Sequence, residues 1–177
     1  MDSNFAGGRK YSFSWGLLGD VELGRPNLGA NTHLSVYRLM QFTFRDIVEQ
    51  RYGTEAVEEV FYAAGKLAGA EFYRNVIGKP EDFNQFIIKV QESLREFNMG
   101  ILRVEKTDLE NHEFTLTVSE DLDCSGLPVT GNEVCTYDEG FLAALLEGYL
   151  GSPIQVKEID CWSTGDRTCR FDARRSK

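Results

Sequence analysis

The spacing of apolar residues changes along the chain, and this change constrains the fold more than any other feature of the sequence. Between residues 32 and 100, apolar residues recur every three or four positions in three segments, as on the buried face of a helix. Gly53, Gly78 and Gly100 follow these segments, and glycine readily ends a helix. From Phe114 to Val118 apolar residues instead alternate with threonines, which is the period of a half-buried strand.

The same patterns predict the order of the remaining elements. A strand at residues 101–106 precedes the strand at 114–118, a loop covers 121–133, and a helix begins at Cys135. A second hairpin runs from Ile154 to Ala173. Three helices, a hairpin, a helix and another hairpin predict an α+β domain, in which helices pack on one face of an antiparallel sheet.

The first thirty residues differ from the rest of the chain, because six glycines and Pro26 interrupt them. We expect residues 1–30 to form a Gly-rich arm of loops. A chain of 177 residues has room for one domain beside such an arm. We therefore expect a single small-molecule-binding domain at residues 31–175.

The net charge of −9 argues against two classes of partner. An acidic protein repels nucleic-acid phosphates and anionic membrane surfaces, so we expect neither as a partner. The longest strongly apolar stretch, Phe141–Leu146, has six residues and is far too short to span a bilayer. The N-terminal residues contain no apolar segment of a secretion signal. We therefore expect a reducing, cytoplasmic location, where clustered cysteines indicate metal before disulfides.

Three of the four cysteines fall where the predicted elements bring them together. Cys161 and Cys169 flank the turn of the second hairpin almost symmetrically, and Cys135 opens the last helix. This arrangement suits a disulfide or the ligands of one metal ion, although buried cysteines also occur as small apolar core residues. Spacing leaves the fourth ligand open between Cys124 and Glu158.

Glu158 meets a geometric condition before it can share a metal ion with Cys161. Residues three apart on a regular strand point to opposite faces of the sheet. The two side chains can therefore converge only if the strand ends or bulges at Ile159–Asp160.

The second predicted helix carries a stripe of small residues: Ala64, Gly65, Ala68 and Gly69. Glycine costs about 1 kcal/mol inside a helix relative to alanine, so two of them four apart indicate the close approach of another backbone. We favour packing inside the monomer over a dimer interface.

The C-terminal third also contains a longer pattern that is similar to a known family. It reads Cys135-Thr-Tyr-Asp-Glu-Gly-Phe, then Val156-Lys-Glu-Ile-Asp-Cys161, then Gly165-Asp-Arg-Thr-Cys169-Arg-Phe. This pattern resembles the 4-vinyl-reductase domain family. That family includes archaeal hydrocarbon-binding proteins and the sensor domains of phenol- and toluene-responsive transcription activators. The resemblance extends over most of residues 30–175 and implies a fold similar to that of TRAPP-type vesicle-tethering subunits.

The resemblance further implies a structural zinc ion. The aromatic sensors bind zinc through Cys, Glu, Cys and Cys, and the same residue types recur here at the same spacing: Cys135, Glu158, Cys161 and Cys169. The resemblance favours Glu158 as the fourth ligand and leaves Cys124 free. Four protein ligands leave no open coordination position, so such a zinc ion is structural and not a Lewis acid.

In that family the ligand lies in a mostly apolar cavity between the helices and the sheet. The aromatic residues that face one another here are the candidate walls: Phe83, Phe86, Phe97, Phe114, Tyr137, Phe141 and Tyr149. Ordinary core packing is the alternative for each of them. The phenol sensors hold the phenolic hydroxyl with a His and a Trp, which do not occur at the corresponding positions here. The resemblance therefore implies a larger or less polar ligand, such as a hydrocarbon, a lipid or a tetrapyrrole.

Three functions are compatible with these observations. We expect a binding or sensing module for a small hydrophobic ligand, acting as a homodimer. An enzyme or accessory protein of tetrapyrrole vinyl reduction is the alternative that the family name implies. The sequence shows no nicotinamide or flavin fingerprint and no Ser–His–Asp set, so we favour binding over catalysis. A TRAPP-like interaction subunit is the third possibility.

Overall fold

The computed structural model describes residues 10–176, and the chain divides into two units between residues 31 and 32. In the first unit, residues 10–31 contain a 3-10 turn at Trp15–Leu18 and a single helical turn, α1 (Val21–Gly24). None of these residues is buried. Residues 1–9 of the predicted arm lie outside the described residues.

The second unit contains four helices and four strands, all of which the periodicity predicts. The helices are α2 (Leu34–Tyr52), α3 (Thr54–Phe72), α4 (Phe83–Glu96) and α5 (Thr136–Leu150), and a π-helical turn at Tyr73–Ile77 extends α3. The strands are β1 (Ile101–Asp108), β2 (Glu113–Ser119), β3 (Ile154–Asp160) and β4 (Cys169–Arg175). Gly53 separates α2 from α3 at a φ of 85°, a backbone conformation that glycine adopts without strain.

The four strands form one antiparallel sheet in the order β1-β2-β4-β3. Burial alternates along β3 and β4, so one face of the sheet is turned towards the core. Helix α5 packs on β3, and α4 packs on β1. This architecture confirms the predicted α+β fold with an antiparallel sheet.

Helix α5 is the central helix of the unit, and every residue from Glu139 to Leu146 is buried. Its partner is α3, which approaches so closely that each helix needs glycine at the contact. A Cβ atom on Gly65 would collide with the carbonyl oxygen of Tyr137, and one on Gly140 would collide with the carbonyl oxygen of Tyr62. The small-residue stripe on α3 therefore packs inside the monomer, as predicted.

Candidate metal centre

The four cysteines come together at one end of the sheet. Cys124 lies in the loop between β2 and α5, and Cys135 is the residue that caps the N-terminus of α5. Cys161 directly follows β3, and Cys169 is the first residue of β4. All four side chains are buried, and their Sγ atoms lie within 4.8 Å of one another. The structure thus joins the three predicted cysteines to Cys124, which the resemblance leaves outside the site.

The distances between these sulphur atoms match a tetrahedral metal site in part. The Sγ atom of Cys135 lies 3.8 Å from that of Cys161 and 3.8 Å from that of Cys169. A tetrahedral zinc ion with Zn–S bonds of about 2.3 Å separates its sulphur ligands by about 3.8 Å. The Sγ atoms of Cys124 and Cys169 are closer, at 3.0 Å, and all four cysteines of the chain are free thiols.

Glu158 carries a buried carboxylate three residues before Cys161. The side chain is 2% exposed, and no nitrogen or oxygen donor within residues 10–176 forms a hydrogen bond with either carboxylate oxygen. Burial, and next the charge of Cys161, raise the pKa of Glu158 to about 9. A buried carboxylate without partners is costly, and a metal ion is one of the few partners that stabilises it.

The strand carries the irregularity that the convergence of Glu158 and Cys161 requires. The register between β3 and β4 shifts between Glu158 and Asp160, so Ile159 forms a bulge. The ligand atoms that lie within 4.8 Å of one another are nevertheless the sulphurs of Cys124, Cys135, Cys161 and Cys169, and the Glu158 carboxylate is not among them. A four-coordinate zinc ion accepts either four thiols or three thiols with the Glu158 carboxylate.

Further acidic residues surround the cluster and leave it rich in negative charge. Asp121, Asp123 and Asp138 all have a pKa raised chiefly by burial, and that of Asp121 rises to about 7. Asp121 and Asp138 each offer a carboxylate oxygen within 4.8 Å of the Cys135 sulphur. Buried groups of one charge are stable only when they are protonated or compensated, so a bound divalent cation suits this environment.

The loop that carries Cys124 is fastened to α2 by polar contacts that the sequence pattern did not predict. Arg38 donates from Nε to the carbonyl oxygen of Leu122 and from a terminal nitrogen to that of Ser125, each at 2.9 Å. Arg45 donates to the carbonyl oxygen of Val134 at 3.1 Å. The helical periodicity places both arginines off the apolar face, and nothing in it indicates that they reach a loop more than eighty residues away.

The other side of the centre is held by α5 and by the turn after β3. The Oε1 atom of Glu139 accepts hydrogen bonds from the backbone N–H of Glu158 at 2.8 Å and from Lys157 Nζ at 2.9 Å. The indole N–H of Trp162 donates to the carbonyl oxygen of Leu127 at 3.0 Å. The chain segments that supply the cysteines are thus connected by hydrogen bonds as well as by the thiols.

Six of the seven predicted ligand-binding residues lie in two packed groups of rings. Phe83, Phe86, Phe114 and Tyr149 form the first group, with the rings of Phe86 and Tyr149 stacked at 4.8 Å. Phe97 and Phe141 form the second, each against the ring of Phe72. A cavity that Phe86 lines has a volume of about 10 Å³, which is the space of a single water molecule.

The seventh residue, Tyr137, lines a separate and larger cavity. It has a volume of about 190 Å³ and lies between α2, α3 and the first turn of α5. The residues around it are mostly apolar: Tyr37, Met40, Gln41, Phe44, Val60, Phe61, Ala64 and Tyr137. The sequence pattern did not indicate this cavity, because it shows which side chains share a helix face but not where two faces fail to meet.

Comparison with known proteins connects this arrangement to a family. The family model of the 4-vinyl-reductase domain matches residues 114–175, which include all four cysteines and Glu158. The uncharacterized protein MJ0150 of Methanocaldococcus jannaschii is 30% identical over 115 residues, a match that covers 65% of this chain and 63% of that protein. The chain thus spans less than two thirds of the length of this relative.

Solved structures share the fold at low sequence identity. A vinyl-4-reductase family protein from Methanocaldococcus jannaschii has a TM-score of 0.60 and 16% identity, covering 84% of this chain and 85% of its own. The phenol-responsive sensory domain of the transcription activator PoxR, solved with phenol, has a TM-score of 0.61 and 14% identity, covering 81% of this chain and 75% of its own.

A trafficking protein particle complex subunit 3 from Naegleria fowleri, covalently bound to palmitic acid, has a TM-score of 0.65 and 11% identity. That match covers 81% of this chain and 95% of the subunit. The four-stranded sheet with its helices is thus the fold of both 4-vinyl-reductase and trafficking-subunit structures. The part of the chain that matches the 4-vinyl-reductase domain family model is residues 114–175.

Proposed function

We propose that this 4-vinyl-reductase domain binds a small hydrophobic ligand, and that a structural zinc ion holds together the end of the sheet. One observation carries the metal half of the proposal: the four buried Sγ atoms lie within 4.8 Å of one another. In addition, the buried carboxylate of Glu158, three residues before Cys161, has no hydrogen-bond partner among the described residues. Zinc accepts this set of thiolate and carboxylate ligands, and closing the set with protein atoms makes the ion structural.

The zinc ligands in this proposal are Cys135, Glu158, Cys161 and Cys169. Four thiolates and a carboxylate around one divalent ion would leave three uncompensated negative charges in a buried site, which is unfavourable. We therefore assign Cys124 as a neutral thiol whose sulphur lies 3.0 Å from that of Cys169. When bound, the zinc ion supplies the positive charge that these residues share.

The ligand half of the proposal rests on the family and on related folds. PoxR has a phenol-responsive sensory domain, and the trafficking subunit is bound to palmitic acid, so both related structures hold a largely apolar molecule. A hydrocarbon, a lipid or a tetrapyrrole is the corresponding ligand class here. Binding at Phe83, Phe86, Phe97, Phe114, Tyr137, Phe141 and Tyr149 would require the two groups of rings to separate, because little space lies between them.

We also infer that the domain acts as a homodimer in a reducing, cytoplasmic compartment. Helix α2 exposes large apolar side chains outside the cavity that Tyr137 lines, of which Leu39 is 65%, Val36 56% and Ile47 45% exposed. An apolar surface of this kind is typical of a contact between subunits. A reducing compartment keeps the four thiols available as metal ligands. Within residues 10–176, no helix has an apolar stretch long enough to cross a bilayer.

Native mass spectrometry of the purified protein tests the proposal in one experiment. We expect one zinc ion per chain, an additional mass from a co-purified apolar molecule, and a subunit number of two. The proposed zinc site would be contradicted if the purified chain contained no zinc and a chelator did not make it easier to unfold. Zinc-loaded protein that neither co-purifies with nor takes up any apolar compound would contradict the ligand half.

A further inference from the structure

We propose that the 190 Å³ cavity between α2, α3 and α5 binds a compact aromatic molecule with one hydroxyl or N–H group. This group donates a hydrogen bond to the Oε1 atom of Gln41. This proposal rests on the proposed function and deepens it, because it gives the apolar ligand a site and a polar anchor. The site is separate from the packed rings around Phe86 and Tyr149.

Gln41 is the polar group that identifies the ligand chemistry. Its side chain is 6% exposed and lines the cavity, and its Oε1 atom has no hydrogen-bond donor anywhere in the described part of the chain. An amide oxygen only accepts hydrogen bonds, so the partner that Gln41 lacks is a donor.

An unpartnered buried amide oxygen is unfavourable, and a donor on a bound molecule removes that cost. The hydroxyl of Tyr37, which also lines the cavity, already donates to Asp123 Oδ1 at 2.7 Å. Tyr37 is therefore not the missing donor for Gln41. The cavity offers an acceptor and little else that is polar, which selects a ligand with a single donor group.

The aromatic side chains that line the cavity favour an aromatic ligand. The rings of Phe44 and Phe61 lie 5.9 Å apart, and the guanidinium carbon of Arg45 lies 5.3 Å from the Phe61 ring centre. Arg45 is itself fastened to the carbonyl oxygen of Val134, so this wall is held in place. Aromatic side chains that are fixed in this way favour a flat ring that packs against them.

The volume limits the size of the ligand. A cavity of about 150 Å³ in another protein is large enough to bind benzene. The cavity here, at about 190 Å³, accommodates a one-ring or small two-ring molecule. A tetrapyrrole or a long acyl chain exceeds it, so this site narrows the ligand class of the proposed function.

Indole and benzofuran are suitable probes, because they have nearly the same shape and only indole carries an N–H donor. Titration of the zinc-loaded protein, followed by amide chemical shifts, gives both affinity and location. We expect indole to bind about threefold to tenfold more tightly than benzofuran, because one additional hydrogen bond changes the affinity by about this factor. The shifts should centre on Gln41, Phe61 and Tyr137.

Three variants make the test specific. Gln41→Leu should retain binding of benzofuran and lose the preference for indole. Gln50→Leu, on an exposed part of the same helix, should behave as the unmodified protein. Ala64→Phe should fill the cavity and weaken both probes at least tenfold. Zinc content and circular dichroism confirm in each case that the variant is folded.

Equal affinity for the two probes, or a preference for indole that survives Gln41→Leu, would overturn the proposal. So would shifts centred on Phe86 and Tyr149, a result that leaves ligand binding by the domain intact and moves it to the packed rings. The proposal would also be overturned if neither probe bound and the protein were a dimer that buries Met40. In that case the second copy of the chain would occupy the cavity. Loss of the proposed function is recognised separately, by the absence of zinc or of any apolar ligand in native mass spectrometry.

Discussion

Glu139 accepts a hydrogen bond from the backbone N–H of Glu158 at 2.8 Å, so the first turn of α5 fixes the strand residue whose carboxylate is the proposed fourth zinc ligand. The same oxygen accepts from Lys157 at 2.9 Å. Glu139 is therefore a positioning residue, because it holds the backbone of one proposed zinc ligand.

Replacing Glu139 with alanine should destabilise the protein and loosen the metal site together. The substitution leaves the buried N–H of Glu158 without an acceptor, which costs about 1–3 kcal/mol of the free energy of unfolding. Urea denaturation and competition with a zinc chelator measure the two effects. Glu133→Ala is the control, because Glu133 also pairs with Lys157 at 2.9 Å but is exposed. We expect it to change stability by less than about 0.5 kcal/mol. Equal effects of the two substitutions would contradict the positioning role.

Serine substitutions separate the proposed ligands from their neighbour. Cys169→Ser removes a proposed zinc ligand and should abolish stoichiometric zinc, with a loss of at least about 3 kcal/mol, or roughly 6–12 °C in Tm. Cys124→Ser should keep one zinc ion per chain. Zinc analysis and thermal unfolding with and without chelator provide the readout. The assignment is wrong if Cys124→Ser loses the metal as completely as Cys169→Ser does.

Gly65→Ala should be among the most damaging small substitutions in the protein. Its new Cβ atom would collide with the carbonyl oxygen of Tyr137 across the α3–α5 contact. Because the colliding atoms belong to the backbone, the clash can be relieved only if the two helices move apart. We expect a loss of about 3 kcal/mol or more in chemical denaturation. Gly24→Ala is the control, since its added Cβ meets no described atom within 4 Å beyond its chain neighbours and its own helical turn. A near-neutral Gly65→Ala would show that the two helices can move apart.

The proposed dimer makes a prediction about α2. Leu39→Glu places a charge on the exposed apolar surface and should convert the dimer to a monomer in sedimentation at micromolar concentration. Ile88→Glu, on the exposed side of α4, introduces the same charge at a position that is 52% exposed and should leave the dimer intact. An unmodified protein that sediments as a monomer, or a Leu39→Glu variant that remains dimeric, would remove α2 from the interface.

Sequence reasoning was most successful where local chemistry decides the structure. Gly53, Gly78 and Gly151 end their helices with positive φ angles, so the positions of these glycines in the sequence indicate where the helices end. The irregularity at Ile159 could be anticipated as a condition, because two side chains three apart converge only across a bulge. The close approach at Gly65 followed from the cost of glycine within a helix.

The remaining features depend on long-range contacts that leave no periodic signal. Cys124 joins the cluster because Arg38 and Arg45 hold its loop against α2, and neither arginine differs in pattern from a solvated residue. Aromatic spacing predicted that Phe86 and Tyr149 face each other but could not say whether a ligand or the rings themselves fill the space. The unpartnered oxygen of Gln41 is a property of the packed interior and becomes visible only there.

X-ray absorption at the zinc edge of the purified, zinc-loaded protein tests the metal site most directly. The proposed ligands predict three sulphur neighbours at about 2.3 Å and one oxygen neighbour at about 2.0–2.2 Å, and Cys124→Ser should leave this spectrum unchanged. A first shell of four sulphur atoms would replace Glu158 with Cys124. A protein that binds no zinc under these conditions would contradict the account of the cluster as a metal centre.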